Sequence, residues 1–129
     1  MLSCQFEPHH RVALVRYSGR VTEEDFAEHD RIGLALRERE GEVRVIVDLT
    51  GVTEIPVPTA RFVAMARRPP IMGEQPRIYI VSGAEAFGLA RLYAANQSAI
   101  GTRQPMLVKT REEAFAEFGL EDPVFQPFP

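Results

Sequence analysis

The sequence predicts a single α/β domain in which helices connect the strands of a mostly parallel sheet. Two runs, residues 43–49 and 76–82, are rich in β-branched residues and apolar on both faces, as buried parallel strands are. A segment with helical periodicity follows each of them. Strands that alternate with helices favour parallel pairing through right-handed crossovers. A chain of 129 residues has the length of one domain and can bury a core without disulfides.

The first half of the chain predicts two strands, a helix and the central strand. Residues 2–6 and 12–17 are short β-like runs that read as an antiparallel pair. A helix begins after Thr22, whose hydroxyl can cap the first turn. Residues 43–49 then form a central strand, and a turn that contains Gly51 leads to the second helix.

The second half continues the alternation. The second helix opens at Pro58 and Thr59 and stops before Pro69, because proline disfavours the α conformation in the residue before it. The remaining elements are a strand at 76–82, a helix at 84–99, a strand at 105–109 and a helix from Thr110, whose capping box includes Glu113, to Gly119. The predicted order is ββαβαβαβα.

Right-handed crossovers between neighbouring strands would collect the helices on one side of the sheet. The apolar residues expected on the other side are Ile46, Tyr79, Val81 and Leu107. Three candidates remain for the element that packs over that side of the sheet: the first strand pair, the proline-rich tail 121–129, or a second copy of the chain. The tail retains the apolar residues Val124, Phe125 and Phe128. The domain is therefore assigned to residues 1–129, with the tail packing back on it.

The helix predicted at 84–99 is apolar on more than one face. One face can pack on the sheet, which leaves the other for a partner. The sequence therefore predicts a homodimer, and a different protein partner is the other reading of the same surface. The residues expected at the interface are Phe87, Leu89, Leu92 and Tyr93.

Composition argues against several classes of partner. The 15 Lys and Arg residues against 18 Asp and Glu residues give a net charge of −3, and no local basic patch predicts nucleic-acid binding. No apolar run approaches the roughly 20 residues that span a bilayer. The only cysteine, Cys4, cannot form an internal disulfide, so a cytoplasmic protein is expected.

Polar residues follow the predicted strands at the edge where parallel sheets bind ligands. The candidate ligand-binding residues are Asp48, Thr50, Thr53, Thr59, Ser82 and Gly83. Hydroxyls and glycines at these places also serve ordinary turns and helix caps, and no glycine-rich phosphate loop accompanies them. We expect Asp48 to accept amide hydrogen bonds in its own turn.

The sequence predicts no catalytic residue, no metal and no cofactor. His9 and His10 are adjacent rather than spaced as metal ligands, and the nucleophile motif GxSxG is absent. His29 lies on the apolar stripe of the first helix, where a hydrogen-bonded boundary histidine is the expected role and a catalytic base the alternative. Cys4 is expected to pack in a strand. These features favour a protein that is not an enzyme.

Two segments resemble a known family. VALVRYSGRVTEEDF and, after one helix, VRVIVDLTGVTEI are similar to the SpoIIAA-like group, which comprises the STAS-type fold of anti-sigma factor antagonists and its CRAL-TRIO-like relatives. In the antagonists, the segment that matches DLTGVTEI is followed by Asp-Ser-Ser-Gly, which contains the phosphorylated serine. Here Pro56-Val57-Pro58-Thr59 stands at that place. The resemblance therefore implies the fold without the phospho-switch, and leaves Thr59 as the remaining acceptor.

The resemblance implies two functions. The first is a non-enzymatic regulatory or protein-interaction module. The alternative is a carrier or sensor of a small apolar ligand or lipid, as in CRAL-TRIO-like domains. In the second case the pocket is expected to be lined by the tail phenylalanines or by Phe62, Met65, Ile71 and Met72.

Overall fold

The computed structural model describes residues 1–128 as a single α/β domain, so the predicted class is confirmed at this level. The strands are β1 (Leu2–Glu7), β2 (Val12–Arg20), β3 (Arg44–Glu54), β4 (Arg77–Ile80), β5 (Met106–Val108) and β6 (Gln126–Pro127). The helices are α1 (Glu23–Glu40), α2 (Thr59–Ala66), α3 (Ala84–Ala99) and α4 (Arg111–Glu117). Pro129, the last residue of the predicted tail, lies outside the described residues.

The strands form one mixed sheet in the order β5-β4-β3-β2-β1-β6. The four strands from β2 to β5 are parallel, whereas β1 runs antiparallel to both β2 and β6. Strand β3 lies between β2 and β4, and its Val45, Ile46, Val47 and Asp48 are all buried. A strand covered on both faces explains why this run of the sequence is apolar at successive positions.

Local sequence sets the helix starts. The Asp25 carboxylate accepts a hydrogen bond from the Thr22 N–H at 2.9 Å, which satisfies a free amide before the first turn of α1. At α4 the Thr110 hydroxyl accepts from the Glu113 N–H at 3.1 Å. Both arrangements follow from a threonine placed three residues before an acid. None of the helices within residues 1–128 has both the length and the apolar character needed to cross a membrane.

The prediction of a turn around Gly51 is wrong. Strand β3 continues to Glu54, because the chain keeps pairing with an extension of β2 in which Ser18 lies opposite Gly51. The register shifts nearby, as at a β-bulge. A Cβ atom on Gly51 would lie 3.3 Å from the backbone oxygen of Tyr17, so the close approach of the two strands favours glycine there.

The prediction that all helices lie on one side of the sheet is also wrong. Helices α1, α2 and α3 lie on one face, while α4 packs on the other, where Ala114 contacts a cluster that contains Ile46 and Ile78. Tyr79 lies on the α1–α3 face, because it pairs in register with Val47 rather than Ile46. Strand β6 runs in the same direction as β5, but the chain reaches it by moving back across the sheet to the opposite edge. A right-handed crossover in that reversed direction places its helix on the opposite face.

The end of the chain crosses to the free edge of β1. Gln126 and Pro127 pair with Phe6 and Gln5, and the Phe128 N–H donates to the Cys4 carbonyl at 2.9 Å. The ring of Phe125 stacks on that of Phe115 from α4, at 5.8 Å between centroids, and belongs to the cluster on the α4 face. Phe125 and α4 therefore cover the face of the sheet that α1–α3 leave open, whereas Phe128 belongs to the cluster on the α1–α3 face.

Candidate functional site

A cavity of about 340 Å³ lies between the sheet and helices α1–α3. Its floor consists of inward-facing residues on neighbouring strands, in rows set by the register: Val45 beside Arg77, and Val15 beside Val47 and Tyr79. The volume falls within the range of small-molecule sites, about 300–1,000 Å³.

Most of the lining is apolar. All four residues that the sequence suggested for a pocket border the cavity, whereas the tail phenylalanines do not. The main apolar groups are Val15, Val47, Leu49 and Leu36 from the core, Phe26, Phe62 and Leu89 from the helices, and Met65, Ile71 and Met72 around the end of α2. Such a surface favours an apolar ligand body.

The cavity meets solvent between α1 and the segment after α2. Among the lining residues, Leu34, Arg68 and Pro69 are exposed. The Arg68 guanidinium donates to the Asp30 carboxylate at 2.8 Å, which links the two sides of this opening. Pro69 and Pro70 fix the chain beside it.

Tyr17 and His29 form a hydrogen-bonded pair in the cavity wall. The Tyr17 hydroxyl lies 2.5 Å from His29 Nδ1. Burial lowers the pKa of His29, so the imidazole is neutral at neutral pH and its Nδ1 can accept a hydrogen bond from the Tyr17 hydroxyl. Burial, with a smaller effect from the Asp30 and Asp25 carboxylates, raises the pKa of Tyr17 well above its usual value. The expected role of His29 as a hydrogen-bonded residue at the core boundary agrees with this contact.

Arg77 lies at the start of β4 and is 8% exposed. Its guanidinium donates to the Tyr93 hydroxyl at 2.9 Å, to Gln97 Oε1 at 3.0 Å and to the Arg103 carbonyl at 2.5 Å. Gln97 is fully buried and donates in turn to the Ala66 carbonyl at 2.8 Å. This network joins β4, α3 and the end of α2 at one end of the cavity.

Two tyrosines stack beside this cation. The rings of Tyr79 and Tyr93 are 5.4 Å apart between centroids. Burial raises the pKa of Tyr79 well above its usual value, so its hydroxyl stays protonated. Burial also raises the pKa of the cavity-lining Cys4 to about 11, so its thiol is a weak nucleophile at neutral pH. The cavity therefore presents hydrogen-bond donors and a cation, without an activated thiolate or phenolate.

Four of the six predicted ligand-binding residues come together elsewhere. Thr50, Thr53, Ser82 and Gly83 line a pocket of about 200 Å³ between the end of β3 and the start of α3. Glu54 and Glu85 also line it, so its charge opposes an anionic ligand. This pocket is smaller than most small-molecule sites.

The other two predicted residues lie apart from this pocket. Thr59 is the exposed first residue of α2. Asp48 is 2% exposed and accepts from the Thr50 N–H at 2.9 Å and from Arg111 Nε at 2.9 Å. Burial alone would raise the pKa of Asp48, but the hydrogen bonds from Thr50 and the Arg111 guanidinium lower it below its usual value. The carboxylate is thus bonded within the protein.

The predicted interface residues divide between two surfaces. Leu89 and Tyr93 line the cavity, and Leu92 is partly buried. Phe87 is 40% exposed, with the Arg91 guanidinium 5.9 Å from its ring centroid. The homodimer stays a prediction, for which Phe87 is the exposed member of the set.

Arg77 and Tyr17 were missed by sequence reasoning. The sequence does contain a signal for Arg77. In the predicted strand PRIYIVS, Arg77 and Tyr79 are two residues apart, so their side chains lie on the same face. Only the register with β3 shows which face that is.

No family model matches the chain, and no curated protein matches it significantly. In the part of the chain that the structure describes, no three His, Cys, Asp or Glu side chains are grouped as a metal site would require.

Proposed function

We propose that this protein binds a small, largely apolar molecule in the cavity beneath α1–α3 and acts as its carrier or sensor. The observation that supports the proposal is the cavity itself, about 340 Å³ in a domain of 129 residues. The cavity is open to solvent and lined mainly by apolar side chains. An apolar ligand that displaces water from it would therefore gain hydrophobic and dispersion energy on binding.

The chemistry of the lining favours binding over catalysis. The Cys4 thiol and the Tyr79 hydroxyl have raised pKa values, and that of His29 is lowered, so all three groups are neutral at neutral pH. Uncharged donors and acceptors in an apolar wall orient a ligand without attacking it. The CRAL-TRIO-like resemblance implies the same role.

The interaction module is the second candidate. It is favoured by the exposed ring of Phe87 and by the replacement of the switch motif with Pro56-Val57-Pro58-Thr59. The two candidates differ in what the purified protein contains. A carrier retains a hydrophobic molecule, whereas a self-associating module is an empty dimer.

Filling the cavity tests the proposal. The neutral dye N-phenyl-1-naphthylamine should bind the wild type saturably, with increased fluorescence. Ala90 lines the cavity and is 3% exposed, so Ala90→Phe should reduce this binding by about tenfold or more through steric exclusion. Native mass spectrometry of the same preparations should detect a co-purifying apolar molecule in the wild type and not in the variant.

The matched control is Ala95→Phe, which adds the same ring to an exposed position of the same helix. It should bind the dye as the wild type does. Absence of saturable binding to the wild type, or equal binding to the wild type and a folded Ala90→Phe variant, would contradict the proposal. An empty dimer in the mass spectra would favour the interaction module.

A further inference from the structure

Arg77 borders the cavity as a buried cation without an anionic partner in residues 1–128. None of the ion pairs in that range includes it. Its three hydrogen bonds end on a phenol, a side-chain amide and a backbone carbonyl, all neutral. Removing a charge from water without a counter-charge costs several kcal/mol, so buried arginines are normally paired.

The guanidinium also has unused donors. It has five N–H groups. Three are used: both on one terminal nitrogen, which bond Gln97 and Arg103, and one on the other, which bonds Tyr93. Two N–H groups are left, including that of Nε. No fully buried side-chain nitrogen or oxygen within residues 1–128 lacks a hydrogen-bond partner, so Nε retains accessible surface, and Arg77 is one of the residues that line the cavity.

The charges around the cavity leave a surplus of one positive charge. The charged lining residues are Asp30, Arg68 and Arg77. Asp30 and Arg68 pair with each other at 2.8 Å, which leaves Arg77 unbalanced. The pKa of His29 is lowered mainly by burial; the Asp30 carboxylate opposes this lowering, and the positive charges of Arg68 and Arg77 add to it.

We infer that the ligand is an apolar monocarboxylate whose carboxylate pairs with Arg77 while its apolar body occupies the rest of the cavity. This inference rests on the proposed function and specifies the ligand class for the same site. A carboxylate accepts hydrogen bonds from adjacent guanidinium N–H groups in one plane. A single surplus charge matches a monoanion and leaves the second charge of a phosphate monoester unbalanced.

The Arg77 network also has a structural role, because Gln97 connects the guanidinium to the end of α2. A purely structural role predicts that substitution of Arg77 lowers the stability of the protein. It does not predict that the protein binds a carboxylic acid more tightly than the matching alcohol. The decisive measurement is therefore a comparison of two ligands in the unaltered protein.

The experiment is displacement of N-phenyl-1-naphthylamine from the wild type at pH 7.5 by decanoate and by decan-1-ol, which share one apolar chain. Decanoate should bind about tenfold or more tightly than the alcohol, as expected for a hydrogen bond to a charged group. In Arg77→Gln the two affinities should converge, mainly through loss of decanoate affinity. Arg67→Gln, which removes an exposed cation outside the cavity, should keep the wild-type preference.

Each outcome has a distinct meaning. If the dye does not bind the wild type, the proposed function fails and this inference fails with it. If the dye binds but decan-1-ol displaces it as well as decanoate does, the cavity is a ligand site and the carboxylate inference is overturned. A preference that persists in folded Arg77→Gln would overturn the assignment to Arg77. Should that variant not fold, the wild-type comparison still decides whether the ligand is anionic.

Discussion

The two faces of the sheet differ in how they are filled. On the α4 face, the aliphatic residues Val12, Leu14, Ile46, Ile78 and Ile80 are at most 2% exposed and pack directly under α4 and Leu120. On the α1–α3 face, the strands present tyrosines and a cation to a cavity of about 340 Å³. One face provides close packing, and the other provides space with polar groups at its edge.

The covering elements explain the difference. Helix α4 has only seven residues and approaches the sheet through Ala114, whose small side chain permits close contact. Helix α1, with eighteen residues, crosses the other face, and the proline-flanked α2 lies beside it. The comparison predicts that stability depends mainly on the α4 face, and the proposed ligand binding on the other.

Matched isoleucine truncations should have the largest effect. Ile46→Ala on the α4 face should cost about 2–5 kcal/mol of unfolding free energy, because the residue is fully buried in a packed cluster. Ile32→Ala, on α1 beside the cavity, should cost about 2 kcal/mol or less, since its contacts are already incomplete and alanine favours the helix. Urea unfolding followed by circular dichroism measures both. Equal losses would mean that the two faces are equally well packed.

Removal of the buried carboxylate should have the next largest effect. Asp48→Asn should cost about 1.5–3 kcal/mol at pH 7, because it weakens charge-assisted hydrogen bonds from Thr50 and Arg111. The folded-state pKa of Asp48 is lowered, so its contribution is complete above the unfolded-state pKa of about 3.9 and is lost as pH falls through the folded-state pKa. Unfolding free energies from pH 7 to pH 2 should therefore converge for wild type and variant.

The control for this change is Glu54→Gln on the same strand. Glu54 pairs with Arg20 at 3.4 Å but is 58% exposed, so its removal should cost at most about 1 kcal/mol. A loss as large as that from Asp48→Asn would show that burial does not distinguish the two carboxylates.

The smallest effect should come from His29 on the cavity face. Because its folded-state pKa is lowered, the unfolded chain takes up the proton first as pH falls below about 6.5. The free energy of unfolding should therefore decrease as the pH is lowered. This group can contribute a slope of at most about 1.4 kcal/mol per pH unit. His29→Gln should flatten the profile of unfolding free energy between pH 6.5 and pH 5. An unchanged slope would exclude His29 as its source.

Much of the order of elements was predictable because it depends on local signals. The β-branched run before Asp48 and the threonine caps at Thr22 and Thr110 act within a few residues. The prediction of a turn at Gly51 was wrong because a glycine also occurs where two strands approach closely. The sequence does not show that approach. The candidate site was only partly predictable: residues around the end of α2 were named, whereas Arg77 was not.

The sequence by itself determined the α/β class and the main strands and helices. Only the tertiary structure decided that α4 crosses to the opposite face, that Tyr79 and Arg77 share one side with Val45 and Val47, and that a cavity separates them from the helices. Periodicity marks which residues share a face. It does not mark which face that is, because the register between strands distant in sequence sets the choice.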